Sequence, residues 1–169
     1  MKSKDVLLEL LEKDAKYVNE RVKLNSFDGL DVTITGATGL VGLNIICAIN
    51  YYNNNFAKKR ININALSYSK PSGIIDEIFR VNKLNSISGD LVKGNFIKNV
   101  PLSDCIIHSA GYGQPGKFLA DKLKTISINT SSTIGLSKRL RSKGRFLFLS
   151  SSEVYSGCSN AKNIEDDIG

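Results

Sequence analysis

The chain has 169 residues, of which 41% are hydrophobic and 23% charged, a composition that suits one soluble globular domain and argues against two full domains. Its formal net charge is +7, but the densest basic runs, residues 58–60 and 138–141, lack interleaved aromatic residues and are predicted to be solvated faces rather than a nucleic-acid site. The three cysteines form no C-x-x-C pair and no apolar run approaches the roughly 20 residues that span a bilayer, so we expect a cytoplasmic protein with reduced thiols and no membrane partner.

The first predicted element is an amphipathic helix over about residues 3–22. Its polar side carries both signs of charge, which favours packing on the domain's flank or on a partner subunit over a membrane surface. Residues 1–28 are therefore interpreted as a helical extension of a domain that spans residues 29–169. The apolar positions recur at i, i+3 and i+4 spacing and are Val6, Leu7, Leu10, Leu11, Ala15 and Val18.

The most informative stretch is DVTITGATGLVGLNIIC, residues 31–47, in which a strand passes through three glycines into an apolar helix. We predict that Gly36 makes the tight turn off the strand, that Gly39 lets the backbone approach a pyrophosphate, and that Gly42 lets the helix pack closely on the sheet. N–H groups at the helix start would face the phosphates. Chance glycines in a strand-to-helix turn are the alternative, which the position of the triplet disfavours.

Further strands are predicted over residues 61–68, 86–91, 104–109 and 145–149, with a helix after Ser72, a potential N-cap, and a long helical segment over about residues 117–142. Alternating strands and helices indicate an α/β fold with a doubly wound parallel sheet. Ligands bind such sheets at the carboxyl ends of the strands. The segments of interest are residues 36–42, 67–70, 90–91, 110–116 and 150–155.

Five motifs occur along the chain in a fixed order: TGATGLVG (35–42), GDL (89–91), DCIIHSAG (104–111), SINTSSTIGL (127–136) and FLSSSEVYSG (148–157). From about residue 31 onwards they resemble the extended short-chain dehydrogenase/reductase family, particularly its nucleotide-sugar epimerases, dehydratases and decarboxylases. The resemblance implies a Rossmann fold, NAD or NADP as cofactor, and a nucleotide sugar as the substrate of the full-length protein, oxidised at C4 to a transient ketone.

The resemblance also implies roles for individual residues. Asp90 and Leu91 would hold the adenine, Ala110 and Gly111 would line the path to the nicotinamide ribose, and Asn129 would lie beneath the reacting centre; an ordinary turn aspartate is the alternative for Asp90. No metal site is predicted. The full set of predicted cofactor-binding residues is Gly36, Ala37, Thr38, Gly39, Leu40, Val41, Gly42, Ser67, Asp90, Leu91, Ala110, Gly111, Asn129 and Ser150.

Two residues are predicted to be catalytic. Ser151 takes the family's Ser/Thr position, and oxidation of an alcohol needs a donor that holds the developing ketone, a role that a hydroxyl at a strand's end can fill. Glu153 could assist elimination or handle a carboxylated substrate. With Ser152 before Glu153, the motif resembles that of the UDP-glucuronate decarboxylases, but it departs from their pattern by placing Ser156 between Tyr155 and Gly157. A serine that satisfies backbone groups and a surface glutamate are the alternatives. His108, the only histidine, is interpreted as a packed structural residue.

The end of the second strand carries Ser67, Tyr68, Ser69 and Lys70, with no acidic residue. An acid at this place hydrogen-bonds the adenosine ribose of NAD, whereas a basic residue accommodates the 2′-phosphate of NADP. The sequence therefore weakens the assignment of NAD without establishing NADP, because Lys70 is equally explained as a solvated loop charge.

The family's catalytic Y-x-x-x-K motif does not occur, since none of the six tyrosines is followed by lysine four residues later. Family members place this motif downstream of the SSxxVY segment, before a substrate-binding region, and residues 163–169 resemble the approach to it. We expect the chain to be the N-terminal part of an enzyme that binds dinucleotide and turns over little or nothing alone. A non-catalytic dinucleotide-sensing module is the alternative, and a homodimer is left open.

Overall fold

A computed structural model of the chain describes residues 3–158 and 164–167, and within them five strands form one parallel sheet. The strands are β1 (Asp31–Thr35), β2 (Asn62–Ser67), β3 (Asn85–Ser88), β4 (Ser103–His108) and β5 (Leu140–Phe148). Their spatial order is β3-β2-β1-β4-β5, and every neighbouring pair is parallel. The chain first builds outward from β1 on one side and then from β4 on the other. This order confirms the predicted doubly wound sheet.

Helices cover both faces of the sheet. Because successive side chains of a strand point to opposite faces, Ile63 and Ala65 of β2 join the larger core cluster, whereas Leu66 joins a second cluster with Val100 and Leu136. No described helix is both long and apolar enough to cross a membrane. The helices are α1 (Ser3–Asn19), α2 (Leu40–Asn55), α3 (Gly73–Val81), α4 (Gly94–Lys98), α5 (Pro115–Ala120), α6 (Lys122–Asn129) and α7 (Ser131–Ser137).

The N-terminal helix α1 packs along α2. Leu11 and Ala15 are buried, and the Asn19 side-chain amide donates to the carbonyl of Ala48 in α2 at 2.9 Å. The predicted apolar face is only partly buried, because α1 lies against one side of the domain. Four of the predicted apolar positions are exposed, namely Val6, Leu7, Leu10 and Val18.

The segment predicted to be helical over residues 117–142 is helical only as far as Ser137, and it is divided into the three short helices α5, α6 and α7. Asp121 interrupts it between α5 and α6, where its carboxylate accepts the Lys124 N–H at 3.0 Å and so caps α6. Thr130 separates α6 from α7. Strand β5 then begins at Leu140 rather than at residue 145, because Leu140 pairs with Ser103 of β4 before an irregularity in the register.

Two smaller differences lie in the first half of the sheet. Strand β3 ends at Ser88, not at residue 91, because the Asp90 carboxylate accepts the Val92 N–H at 3.1 Å and the chain turns there into the unpredicted helix α4. Ser72 does occupy the N-cap of α3, but its side chain makes no capping hydrogen bond.

The basic run at residues 138–141 is not simply solvated. Arg139 Nε donates to the Val100 carbonyl at 2.6 Å, and Arg141 pairs with Asp31 at 2.6 Å and with Asp104 at 2.9 Å. Burial raises the pKa of Asp31. The hydrogen bonds from Asn62 and Arg141 and the charge of Arg141 lower this pKa by more than burial raises it, so the net shift is downward. These ion pairs connect the amino-terminal ends of β1, β4 and β5. The predicted site lies at the opposite, carboxyl ends of the strands.

Candidate functional site

A crevice of about 470 Å³ lies at the carboxyl ends of β1, β2, β3 and β4, where the order of the strands reverses. Doubly wound sheets bind their ligands at this place. The predicted ligand-binding segments 36–42, 67–70, 90–91 and 110–116 all contribute residues to the wall of the crevice. The predicted cofactor residues that line the crevice are Gly36, Thr38, Gly39, Ser67, Asp90, Leu91, Ala110 and Gly111.

Gly36 forms the tight turn off β1, as predicted. Its φ is +67°, in the left-handed region, and a Cβ at this position would lie 2.7 Å from the Ser109 carbonyl oxygen at the end of β4. The turn is held on both sides, because the Ala37 N–H donates to the Leu66 carbonyl of β2 at 3.0 Å and the Gly39 N–H donates back to the Gly36 carbonyl at 2.8 Å. Gly36 is therefore required both by its conformation and by the approach of β4.

The start of α2 packs on this turn rather than on the sheet itself. A Cβ at Gly42 would collide with the Gly36 carbonyl, so Gly42 permits close contact between helix and turn. The Leu43 N–H donates to the Gly39 carbonyl at 2.9 Å, which leaves the preceding N–H groups of Leu40, Val41 and Gly42 without intrahelical acceptors. The predicted residues Leu40 and Val41 therefore contribute backbone to this region, while their side chains are exposed.

A buried hydrogen-bond network joins the ends of β1 and β4. The Ala110 N–H donates to Thr35 Oγ1 at 3.1 Å, and Thr35 Oγ1 is 2.7 Å from His108 Nδ1. His108 Nε2 lies 3.0 Å from the Ile128 carbonyl, which can only accept, so Nε2 carries a proton and Nδ1 accepts from Thr35. Ser109 Oγ adds a 2.5 Å bond to the Thr35 carbonyl. The network positions Ala110 at the crevice wall.

His108 is a packed structural residue, as predicted. It is fully buried, both ring nitrogens have partners, and its ring contacts Phe146 and Phe148 at centroid distances of 6.3 and 5.6 Å. Burial lowers the pKa of His108, an effect that the hydrogen bond to the Ile128 carbonyl opposes only in part. The imidazole is therefore neutral around pH 7, which suits its role as acceptor for Thr35.

The wall opposite the glycine turn contains an ion pair that the sequence did not reveal. Lys124 Nζ of α6 lies 3.3 Å from Asp90 Oδ2 and 4.5 Å from the centroid of the Tyr68 ring. Lys124 and Tyr68 both line the crevice. No local pattern links Lys124 to the turn after β3, because the two segments meet only through the packing of α6 beside the sheet.

The remaining predicted residues lie outside the crevice lining. Ser151 caps the short 3₁₀ turn Ser152–Tyr155, where its Oγ accepts the Glu153 N–H at 3.2 Å. Glu153 is exposed and accepts from Ser156 Oγ at 3.0 Å. The Asn129 amide donates back to the Thr125 carbonyl at 2.9 Å, and Ser150 is exposed after β5. The tail at residues 163–169 falls outside the described residues except for residues 164–167.

The sheet order and the glycine turn at its switch point define a Rossmann-like α/β domain. The chain belongs to the NAD dependent epimerase/dehydratase family, because the model of that family matches residues 32–168. A search of curated protein sequences finds no match.

Solved structures support the fold. The epimerase Mth375 from Methanothermobacter thermautotrophicus is 20% identical with a TM-score of 0.63, over 95% of this chain and 44% of that one. UDP-glucose 4-epimerases from Stenotrophomonas maltophila, with bound NAD and formylated UDP-arabinopyranose, and from Bifidobacterium longum, with NAD⁺ and UDP, are 17% and 19% identical, with TM-scores of 0.61 and 0.60. Each covers 82% of this chain, which covers 42% of each. The chain thus spans less than half the length of these proteins.

We predict that Gly36→Ala destabilises the fold by about 2 kcal/mol or more, because a non-glycine residue at positive φ is strained and the new methyl group meets a backbone carbonyl. Urea unfolding followed by circular dichroism measures the change. Gly94→Ala is the matched control, since a Cβ there has open space around it. Equal stability of the two variants would contradict the role assigned to the turn.

We predict that His108→Gln removes a pH dependence of stability. The pKa of His108 in the folded protein lies below its ordinary value of 6.5. The contribution of the neutral His108 to wild-type stability is therefore fully present above pH 6.5 and is lost as the pH falls through the pKa of the folded state. The slope for one such group is at most about 1.4 kcal/mol per pH unit. Urea unfolding between pH 7.5 and 5 compares the two proteins. Parallel stability profiles would show that folding does not lower the pKa of His108.

Proposed function

We propose that the crevice binds NAD or NADP, with the pyrophosphate at the start of α2. The observation that carries the proposal is the cradle of backbone at the glycine turn, where a side chain on Gly36 or Gly42 would collide with neighbouring backbone atoms. Helix N-termini attract anions through unpaired N–H groups and the helix dipole. In this arrangement Asp90 and Leu91 flank the adenine, and Ala110 and Gly111 lead toward the nicotinamide ribose.

The proposal for the longer protein is a nucleotide-sugar epimerase, dehydratase or decarboxylase that acts through a transient 4-keto sugar, with this chain as its cofactor-binding part. Membership of the family and the ligands bound in the two UDP-glucose 4-epimerase structures support it. The bound nicotinamide would supply the acceptor and later the donor of a hydride. The chain's own residues would orient the dinucleotide and, after β5, contact the sugar.

Ser151 and Glu153 are the proposed contacts to the sugar. Ser151 Oγ accepts the Glu153 N–H, and that bond uses a lone pair and leaves the hydroxyl proton to be donated to a ketone oxygen. The Glu153 carboxylate is held toward Ser156 and is accessible to a substrate. Asn129 and Ser150 are proposed as contacts to the cofactor, with Asn129 beneath the reacting centre. The capping bond therefore orients Ser151 without consuming its donor.

A non-catalytic dinucleotide-sensing module is the second reading of the same crevice. It requires the glycine turn and the wall residues, and it does not require Ser151 or Glu153 to meet a sugar. A longer protein that contains this chain separates the two, because only the enzyme loses sugar turnover when Ser151 is changed to alanine while dinucleotide binding stays unchanged.

We predict that the chain binds NAD(H) or NADP(H) in a calorimetric titration and that Gly39→Ala weakens binding about tenfold, close to 1.4 kcal/mol. Gly39 has an ordinary φ of −79°, and an added Cβ has only the Gly36 carbonyl oxygen nearby, at 3.2 Å, so the fold should tolerate the methyl group. The same methyl group occupies the crevice wall at the place proposed for the pyrophosphate.

Gly94→Ala again serves as the control, because Gly94 begins α4 and does not line this crevice. Thermal unfolding of all three proteins shows whether they are folded at the titration temperature. Absence of binding of either dinucleotide to the folded wild-type chain would refute the proposed function. Equal affinities of wild type and Gly39→Ala would refute the placement of the pyrophosphate.

A further inference from the structure

The adenosine end of the crevice has an unusual charge arrangement. The Lys124 ammonium lies between the Asp90 carboxylate, at 3.3 Å, and the Tyr68 ring, at 4.5 Å. The side chains of Lys124 and Asp90 are 22% and 19% exposed, so the pair is largely shielded from bulk water. The second Asp90 oxygen accepts the Val92 N–H at 3.1 Å, which fixes the direction of the carboxylate. A cation is therefore held against the first residue after β2.

The end of β2 is the place where Rossmann domains distinguish the two dinucleotides. A carboxylate there binds the ribose 2′-hydroxyl, and a cation accommodates a 2′-phosphate. Ser67, the last residue of β2, offers no charge, and its Oγ donates to the Ser69 carbonyl at 2.8 Å. Lys70 is exposed and does not line the crevice. Among the described residues that do line it, Lys124 is the one cationic side chain.

We propose that Lys124 is the specificity-determining residue for the 2′ position of the adenosine ribose, and that the site accepts a 2′-phosphate through the Lys124 ammonium. The inference rests on the proposed function and extends it from a dinucleotide to one of NADP type. The nearby Tyr68 ring holds the ammonium beside β2, because a cation is attracted to the face of an aromatic ring.

Asp90 opposes Lys124 in this role. Its charge repels a phosphate, and the ion pair with Lys124 cancels that repulsion. Burial lowers the pKa of Lys124. The hydrogen bond to Asp90 and the charge of Asp90 raise this pKa by more than burial lowers it, so the ammonium is charged at neutral pH. Removal of Lys124 leaves an uncompensated carboxylate, whereas neutralisation of Asp90 frees the ammonium. The two changes must therefore shift the preference between NADP⁺ and NAD⁺ in opposite directions.

Calorimetric titrations with NADP⁺ and NAD⁺ at fixed ionic strength test the inference on the whole 169-residue chain. We expect wild type to bind NADP⁺ at least as tightly as NAD⁺. Lys124→Met should lower the ratio of NADP⁺ to NAD⁺ affinity about tenfold or more, close to 1.4 kcal/mol. Asp90→Asn should raise that ratio even where it weakens both dinucleotides. Lys122→Met is the matched control, an exposed lysine on the same helix, and should leave the ratio unchanged.

Several results would overturn the inference. An equal loss of both affinities in Lys124→Met would reduce Lys124 to a structural contact, and a ratio that moves in Lys70→Met but not in Lys124→Met would assign the role to Lys70. A wild-type preference for NAD⁺ would also contradict it. If wild type binds NAD⁺ with a ratio insensitive to Lys124, only this inference fails. If a folded wild-type chain binds neither dinucleotide, the proposed function fails with it.

Discussion

The close approach of the β1 turn to the end of β4 is the constraint on which the rest of the site depends. Gly36 lies so near the Ser109 carbonyl that no side chain fits between them, and Thr35, His108 and Ala110 close the contact with buried hydrogen bonds. A buried polar group left without its partner costs about 1–3 kcal/mol. Each bond in the network therefore opposes any separation of the two strand ends, which together form the floor of the crevice.

Backbone groups supply most of this geometry. The turn is fixed by the N–H groups of Ala37 and Gly39 and by the carbonyls of Gly36 and Leu66, and the sheet is fixed by its parallel ladders. Glycines and a few small polar residues suffice to specify such an arrangement. This explains how the fold is shared with epimerases that are only 17–20% identical.

Local patterns predicted the part of the fold that local chemistry determines. The strand before Gly36 and the apolar helix after it follow from side-chain periodicity and from the need for a positive φ. The break at Asp121 was missed, because apolar periodicity alone does not show where a side chain will cap a new helix. The early start of β5 depends on pairing with Ser103, and the Lys124–Asp90 pair joins residues 34 positions apart in sequence. Neither interaction has a signature within a sequence window.

The two parts of the candidate site, the crevice and the segment after β5, both depend on His108. The crevice rests on His108 through Thr35 and Ala110, whereas the segment with Ser151 and Glu153 follows β5 as an exposed 3₁₀ turn. That segment is anchored where the Leu149 N–H donates to the His108 carbonyl at 3.1 Å, and Phe148 packs against the His108 ring. A change at His108 therefore reaches the glycine turn through the imidazole and the proposed catalytic segment through its backbone carbonyl. His108 thus links the glycine turn to the backbone that carries Ser151.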